Sequence, residues 1–88
     1  MKKQTRPLSY DHKPEDPKEI DRIHKANGTV SMGRVCGNLN LSRALGDLEY
    51  KSNKELKPED QMITADPDIE KIKNENIDYI IMGCDGIW

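Results

Sequence analysis

A short segment near the start of the chain carries the residues that begin and end helices. Asp16 is a favourable N-cap, Pro17 suits the first helical position, and Glu19 occupies the place of the returning side chain in a capping box. Apolar residues three positions apart give this segment one hydrophobic face: Ile20 and Ile23. Asn27-Gly28 then provides a left-handed stop. The pattern predicts a helix over about 17–26.

Beyond Gly28 the apolar pattern changes to that of strands. Thr29–Met32 and Arg34–Cys36 flank Gly33, which predicts a bent strand pair or a bulged strand. Residues 42–50 are ambiguous between a turn and a short helix, and 51–60 form a polar loop. Four further segments have short or alternating apolar patterns and are predicted to be extended: 8–10, 38–41, 61–65 and 68–72.

The strongest strand candidate is Asp78–Cys84, with four apolar residues in series. A continuous apolar run indicates a strand covered on both faces. One helix and a few hairpins can hardly supply two covering layers. The segment therefore predicts that the chain is part of a layered structure of helices and sheets, cut at Trp88. We also expect this strand to have an exposed face, because its partners would lie outside residues 1–88.

The composition predicts a modest core. Hydrophobic residues make up 34% of the 88 residues, charged residues another 34%, and Phe is absent, whereas globular domains are roughly 45–50% apolar. A chain this short buries a small share of its surface. If it is stable, we expect it to depend on residues that are not present.

The charges argue against a nucleic-acid partner. The net charge is -2, and the basic residues are scattered among acidic ones, with no run beyond Lys2-Lys3 and no interleaved aromatic residues. No apolar segment approaches the roughly 18 residues that a membrane span needs, and the first residues do not resemble a signal peptide. We therefore expect a cytoplasmic or nuclear protein, monomeric and without a membrane partner. Cys36 and Cys84 have no metal-ligand spacing and are expected to be small buried thiols.

Asp85 is the first candidate for chemistry, since it directly follows the predicted buried strand and precedes Gly86. A carboxylate fixed at a strand end is a common oxygen ligand for a hard divalent cation. The alternative is an ordinary Asp-Gly turn, and the spacing alone favours the turn.

A second cluster of candidates lies between residues 33 and 47. Ser42 could be a nucleophile, but no histidine lies nearby in sequence to serve as its base. Arg34 and Arg43 could hold a phosphate through their planar guanidinium groups. The structural alternative, which is favoured for Arg43, is an ion pair with Asp47 that organises a turn.

Six phrases of the chain, in order, resemble consecutive motifs of the protein phosphatase 2C family. They are Leu8–Pro14; Glu19 with Arg22-Ile23 and Ala26–Gly28; Gly33–Gly37; Leu41–Asp47; Gln61–Ile69; and Cys84–Trp88. The family usually has two glycines where Asn27-Gly28 stands. Each phrase alone is a weak signal, but six in the right order over nearly the whole chain are specific.

The resemblance implies an α+β fold, specifically part of an α-β-β-α sandwich in which antiparallel sheets are flanked by helices. Residues 1–88 would be a central part of that catalytic domain, truncated at both ends. The implied reaction is hydrolysis of phosphoserine and phosphothreonine in phosphorylated proteins, with two Mg²⁺ or Mn²⁺ ions that activate a water molecule.

Carried over residue by residue, Asp85 matches the metal-binding aspartate of the family, with the Gly86 backbone nearby. Arg34 lies in a stretch close to the family's catalytic cleft and is a candidate for binding substrate phosphate. Arg43 and Asp47 match a phrase that we interpret as structural.

Other family motifs are missing from the chain: the D-G-H-G-G phrase, the phosphate-gripping arginine, the later D-N phrase and the second aspartate after Trp88. The catalytic site is therefore incomplete, and we expect the isolated chain to be inactive. Two alternatives stay open: a non-catalytic phosphatase-like interaction module, and a small domain unrelated to phosphate chemistry.

Overall fold

The computed structural model describes residues 4–88, and its main element is helix α1, Pro17–Lys25. Pro17 opens the helix because its missing N–H would be unpaired there in any case. Asp16 occupies the N-cap position but does not cap the helix; its side chain accepts a hydrogen bond from the Lys13 N–H (3.1 Å). The predicted capping box is therefore wrong, since Glu19 also turns away from the helix start to buried partners.

The end of α1 agrees with the prediction. Asn27 adopts the left-handed region (φ 65°), and its N–H donates to the His24 carbonyl at 3.0 Å. The Gly28 N–H donates to the Ile23 carbonyl at 2.8 Å. These two bonds form a Schellman motif, which satisfies carbonyls that the helix end would leave unpaired.

The chain then forms a tight antiparallel hairpin of β1 (Val30–Ser31) and β2 (Arg34–Val35), in which Val30 pairs with Val35. Met32 and Gly33 connect the strands with positive φ angles of 53° and 72°. Two such residues give the turn a twist that matches the twist of the strands. Of the two predicted arrangements, the strand pair is correct.

The core is small and lies where α1, the hairpin and the segment 61–64 meet. Ile23, Val35 and Ile63 are fully buried. Five partly buried residues pack around them: Val30, Leu39, Ala44, Tyr50 and Met62. The Gly28 backbone approaches this core so closely that a Cβ atom would lie 2.7 Å from the Met62 sulfur and 2.9 Å from a methyl carbon of Ile23.

One helix and one antiparallel hairpin make an α+β arrangement, which confirms the predicted fold class. The ambiguous and polar segments after the hairpin contain two short 3-10 helices, Leu48–Tyr50 and Pro58–Asp60. A single parallel bridge joins Arg43 to Thr64. Within residues 4–88 no helix has the length and apolar character needed to cross a bilayer.

Several predicted strands do not form. Residues 8–10, 68–72 and 78–84 pair with nothing in the described chain, and 38–41 and 61–65 contribute only one bridging residue each. Residues 79–82 expose between 63% and 91% of their surface. A strand is held by hydrogen bonds to neighbouring strands, and no other segment of residues 4–88 pairs with these residues. The expected exposure of 78–84 is therefore observed, whereas its strand geometry is not.

The two cysteines also differ from the prediction. Cys36 and Cys84 are both exposed free thiols rather than buried ones. Cys36 lies in the tight turn after β2 (φ 51°), and Cys84 lies at the end of the exposed segment. Neither cysteine belongs to the core of Ile23, Val35 and Ile63 or to the partly buried residues that pack against it.

Candidate functional site

Among the carboxylates of residues 4–88, that of Glu19 accepts the most side-chain hydrogen bonds, and Glu19 is 2% exposed. Its Oε1 atom accepts hydrogen bonds from Ser42 Oγ (2.8 Å), Arg22 Nη1 (2.9 Å) and Arg43 Nε (2.7 Å). Its Oε2 atom accepts from Arg43 Nη2 at 2.9 Å. The two Arg43 bonds are parallel, which is the geometry that makes an arginine–carboxylate pair strong and specific. We call these four residues the Glu19 cluster.

The arginines of the Glu19 cluster also bind backbone carbonyls of distant segments. Arg22 donates to the carbonyls of Gln61 (3.0 Å), Ser42 (2.7 Å) and Met62 (3.3 Å). Arg43 Nη1 donates to the Asp66 carbonyl at 2.6 Å. These bonds connect helix α1 to the segment around Ser42 and to the segment 61–66.

The electrostatics of the cluster favour an ionised Glu19. Burial raises the pKa of Glu19, but hydrogen bonds from Arg43, Arg22 and Ser42 outweigh burial and lower the pKa from 4.5 to about 2. The same contact raises the pKa of Arg43. The residues described contain no buried side-chain polar atom without a hydrogen-bond partner. The side chains of the Glu19 cluster bind one another and the backbone carbonyls of distant segments, so the role of the cluster is to hold those segments together.

An open groove of about 590 Å³ runs along the outer side of Arg43. One wall is the segment 8–12 and the other is 65–70. A hydrogen bond joins these walls, since His12 Nε2 lies 2.9 Å from Asp68 Oδ2, and an ion pair joins Glu70 to Arg6, which precedes the first wall (Arg6 Nη2 to Glu70 Oε1, 2.7 Å). Both pairs are exposed and are of the kind that contributes little to stability. The hydrogen bond from His12 lowers the pKa of Asp68.

Asp85 lies apart from the Glu19 cluster, in an exposed turn closed by a bond from the Ile87 N–H to the Cys84 carbonyl (2.9 Å). The turn does not connect paired strands. Gly86 occupies the same turn, and a Cβ at that position would contact nothing within 4 Å. In the described part of the chain no three His, Cys, Asp or Glu side chains come together as a metal site.

Arg34 and Asp47 lie at two further places on the surface. Arg34 is exposed on β2, and its Nη1 donates to the Asn38 carbonyl at 2.8 Å. Asp47 precedes the first 3-10 helix in a left-handed conformation (φ 49°) and does not cap that helix with its side chain. The expected ion pair between Arg43 and Asp47 is wrong, because the Arg43 guanidinium binds Glu19 instead.

Ser42 is fully buried and donates its hydroxyl hydrogen to a carboxylate. A buried hydroxyl with this partner and no histidine contact is not an activated nucleophile. The residue that sequence reasoning missed is Glu19, whose position near the helix start suggested a local cap. The pairing of Glu19 with Arg22 at i, i+3 was the available signal, since these residues face each other on a helix.

The whole chain is similar to known phosphatases. The family model described as Protein phosphatase 2C matches residues 1–88. Probable protein phosphatase 2C 11 of Oryza sativa subsp. japonica is 54% identical over 82 residues, which are 92% of this chain and 23% of that protein. Protein phosphatase 1G of Homo sapiens is 55% identical over 83 residues, 92% of this chain and 15% of that protein.

A solved structure agrees with these sequence matches. The crystal structure of a phosphatase from a pathogenic strain of Toxoplasma gondii superposes with a TM-score of 0.68 at 52% identity, covering 69% of this chain and 19% of that chain. The chain thus spans less than a quarter of the length of each of these relatives.

Proposed function

Because the chain belongs to the protein phosphatase 2C family, we propose that it forms part of a Mg²⁺- or Mn²⁺-dependent enzyme that hydrolyses phosphoserine and phosphothreonine in proteins. The observation that carries the proposal is the family match over all of residues 1–88, together with more than 50% identity to phosphatases of rice and human. Phosphorylated proteins are the proposed substrates. The chain is the proposed central part of the catalytic domain.

Asp85 is the proposed metal ligand. Its support is its position in the Cys84–Trp88 phrase and its side chain, which has no hydrogen-bond partner among residues 4–88. Mg²⁺ requires several oxygen ligands in near-octahedral geometry, and the described residues bring no group of three suitable side chains together. These residues alone therefore do not fit a two-metal site, and we assign no hydrolytic step to them.

Arg34 is the proposed contact for substrate phosphate. One of its guanidinium nitrogens binds the Asn38 carbonyl, and its other N–H groups have no hydrogen-bond partner within residues 4–88. A guanidinium presents several N–H groups in one plane, which suits phosphate oxygens.

A second function, a non-catalytic interaction module with a phosphatase-like surface, is favoured by one observation. The described residues do not form a three-ligand metal site, although the family match spans the whole chain. We therefore expect the 88-residue chain by itself to show no turnover.

The test is Mn²⁺-dependent release of phosphate from a phosphoserine peptide. It is run on the 88-residue chain and on the protein that the mature transcript encodes around it. The enzyme proposal expects no turnover by the chain and metal-dependent turnover by the encoded protein. Turnover by the chain alone contradicts the expected inactivity. An encoded protein that binds phosphoproteins without hydrolysing them, in Mn²⁺ and in Mg²⁺, contradicts the enzyme proposal and supports the module.

A further inference from the structure

Two sulfur atoms from distant parts of the chain meet on the surface behind the hairpin. The Cys36 Sγ lies 3.5 Å from the Met62 Sδ and donates its hydrogen to it. The thiol belongs to an exposed residue, so reagents and ions in solution can reach it. A separation of 26 residues means that the tertiary fold, and not local sequence, brings the two sulfurs together.

Hydrogen bonds hold the backbone of both residues in place. The Cys36 N–H donates to the Thr29 carbonyl at 2.7 Å, which fixes the turn after β2. Met62 lies between two buried residues, Gln61 and Ile63, and its carbonyl accepts a hydrogen bond from Arg22. The sulfur positions are therefore set by the same contacts that hold the core.

We propose that Cys36 and Met62 form a binding site for a soft monovalent cation, Cu⁺ or Ag⁺, held by the thiolate and the thioether. Thiolate and thioether sulfur are the protein ligands that select Cu⁺ over harder cations. Binding replaces the thiol proton by the metal ion, and the proton passes to solvent. The site is separate from Asp85 and does not depend on the proposed phosphatase reaction.

The geometry permits this with a small movement. If the metal–sulfur distances are about 2.3 Å, as for zinc thiolates, a linear arrangement places the two sulfurs about 4.6 Å apart. The thioether must then move by about 1 Å from its present contact at 3.5 Å. The methionine side chain has three rotatable bonds and adapts readily to such shifts. Met62 is only partly buried, and its sulfur lies beside the Gly28 backbone.

The chain supplies a matched control in Cys84, an exposed thiol for which no hydrogen bond to another sulfur is present within residues 4–88. Cys84→Ser keeps Cys36, the thiol that contacts Met62, and Cys36→Ser keeps Cys84. Anaerobic titration with Cu⁺ against a chromogenic chelator measures both affinities. Cys84→Ser is expected to bind roughly tenfold more tightly or better, because its second ligand is already in place.

The double variant Cys84→Ser, Met62→Leu keeps the Cys36 thiol but lacks the thioether, since leucine keeps the volume and removes the sulfur. Its Cu⁺ affinity is expected to fall to that of Cys36→Ser. X-ray absorption of the Cu⁺-loaded Cys84→Ser protein gives an independent answer even if Met62→Leu disturbs the fold. Two sulfur ligands per copper from one chain are expected. Equal affinities for the two single-thiol proteins, or one protein sulfur per copper, would overturn the proposal.

Discussion

Glu19→Gln is expected to destabilise the fold strongly, because Glu19 is the only carboxylate among residues 4–88 that reaches both partly buried guanidinium groups of the Glu19 cluster. Glutamine keeps the shape of the side chain, but its amide nitrogen would face an arginine donor. The exposed Asp68 carboxylate, 3.8 Å from Arg43 Nη1, would be the nearest remaining negative charge to the two guanidinium groups among residues 4–88. Removing one partner of a buried ion pair costs about 3–5 kcal/mol.

The pKa shift of Glu19 corresponds to a loss of the same size. The pKa of Glu19 falls from 4.5 to about 2 on folding, and each unit corresponds to about 1.4 kcal/mol of preference for the ionised form. The contribution of the charge at neutral pH is therefore about 3 kcal/mol. Folded proteins are stabilised by only about 5–15 kcal/mol in total, so a loss of this size is a large share of that stability.

Urea unfolding followed by the helical circular dichroism signal measures this loss. The control is Asp21→Asn on the same helix, because Asp21 pairs with Lys25 at 2.8 Å while both side chains are more than 60% exposed. Such exposed pairs contribute at most about 1 kcal/mol. Equal losses of unfolding free energy in Glu19→Gln and Asp21→Asn would contradict a stabilising role for the Glu19 charge.

The remaining predictions concern pH and packing. The pKa of Glu19 is lower in the folded state, so its contribution is present above about pH 4.5 and is lost as pH falls through about 2. The difference in unfolding free energy between wild type and Glu19→Gln should accordingly shrink by about 3 kcal/mol over that range, and a constant difference would contradict it. Gly28→Ala should destabilise by about 1–3 kcal/mol, because its Cβ would overlap Met62 and Ile23. Gly86→Ala, with no atom within 4 Å, should change the thermal midpoint by less than about 2 °C.

The parts of the fold that local chemistry specifies could be predicted from the sequence. Pro17 at the first helical position and Asn27-Gly28 after the last turn set the ends of α1 without help from distant residues. Gly33 likewise marks the hairpin, since a two-residue turn requires positive φ there.

The parts that depend on distant partners could not be predicted in this way. Glu19 satisfies the local pattern of a capping box, yet bonds from Ser42 and Arg43, more than 20 residues away, determine where its carboxylate points. The run 78–84 has the composition of a buried strand, but a strand forms only against another strand. Cys36 has the size of a buried residue but lies in a turn outside the core.

The candidate site shows the same division. The order of six phrases was sufficient to indicate the family, which the family match over residues 1–88 confirms. The role of Asp85 stays a prediction, because a metal site requires several ligands and Asp85 supplies only one of them.

The most direct test of the phosphatase assignment compares Asp85→Asn with Asp78→Asn in the protein that the mature transcript encodes. Both residues are exposed aspartates that flank the same apolar run. If Asp85 is a metal ligand, Asp85→Asn lowers Mn²⁺ affinity and phosphopeptide turnover by about 100-fold or more, since even the outer partners of metal ligands contribute 10–100-fold, while Asp78→Asn retains both. Wild-type affinity and turnover in Asp85→Asn would contradict the assignment.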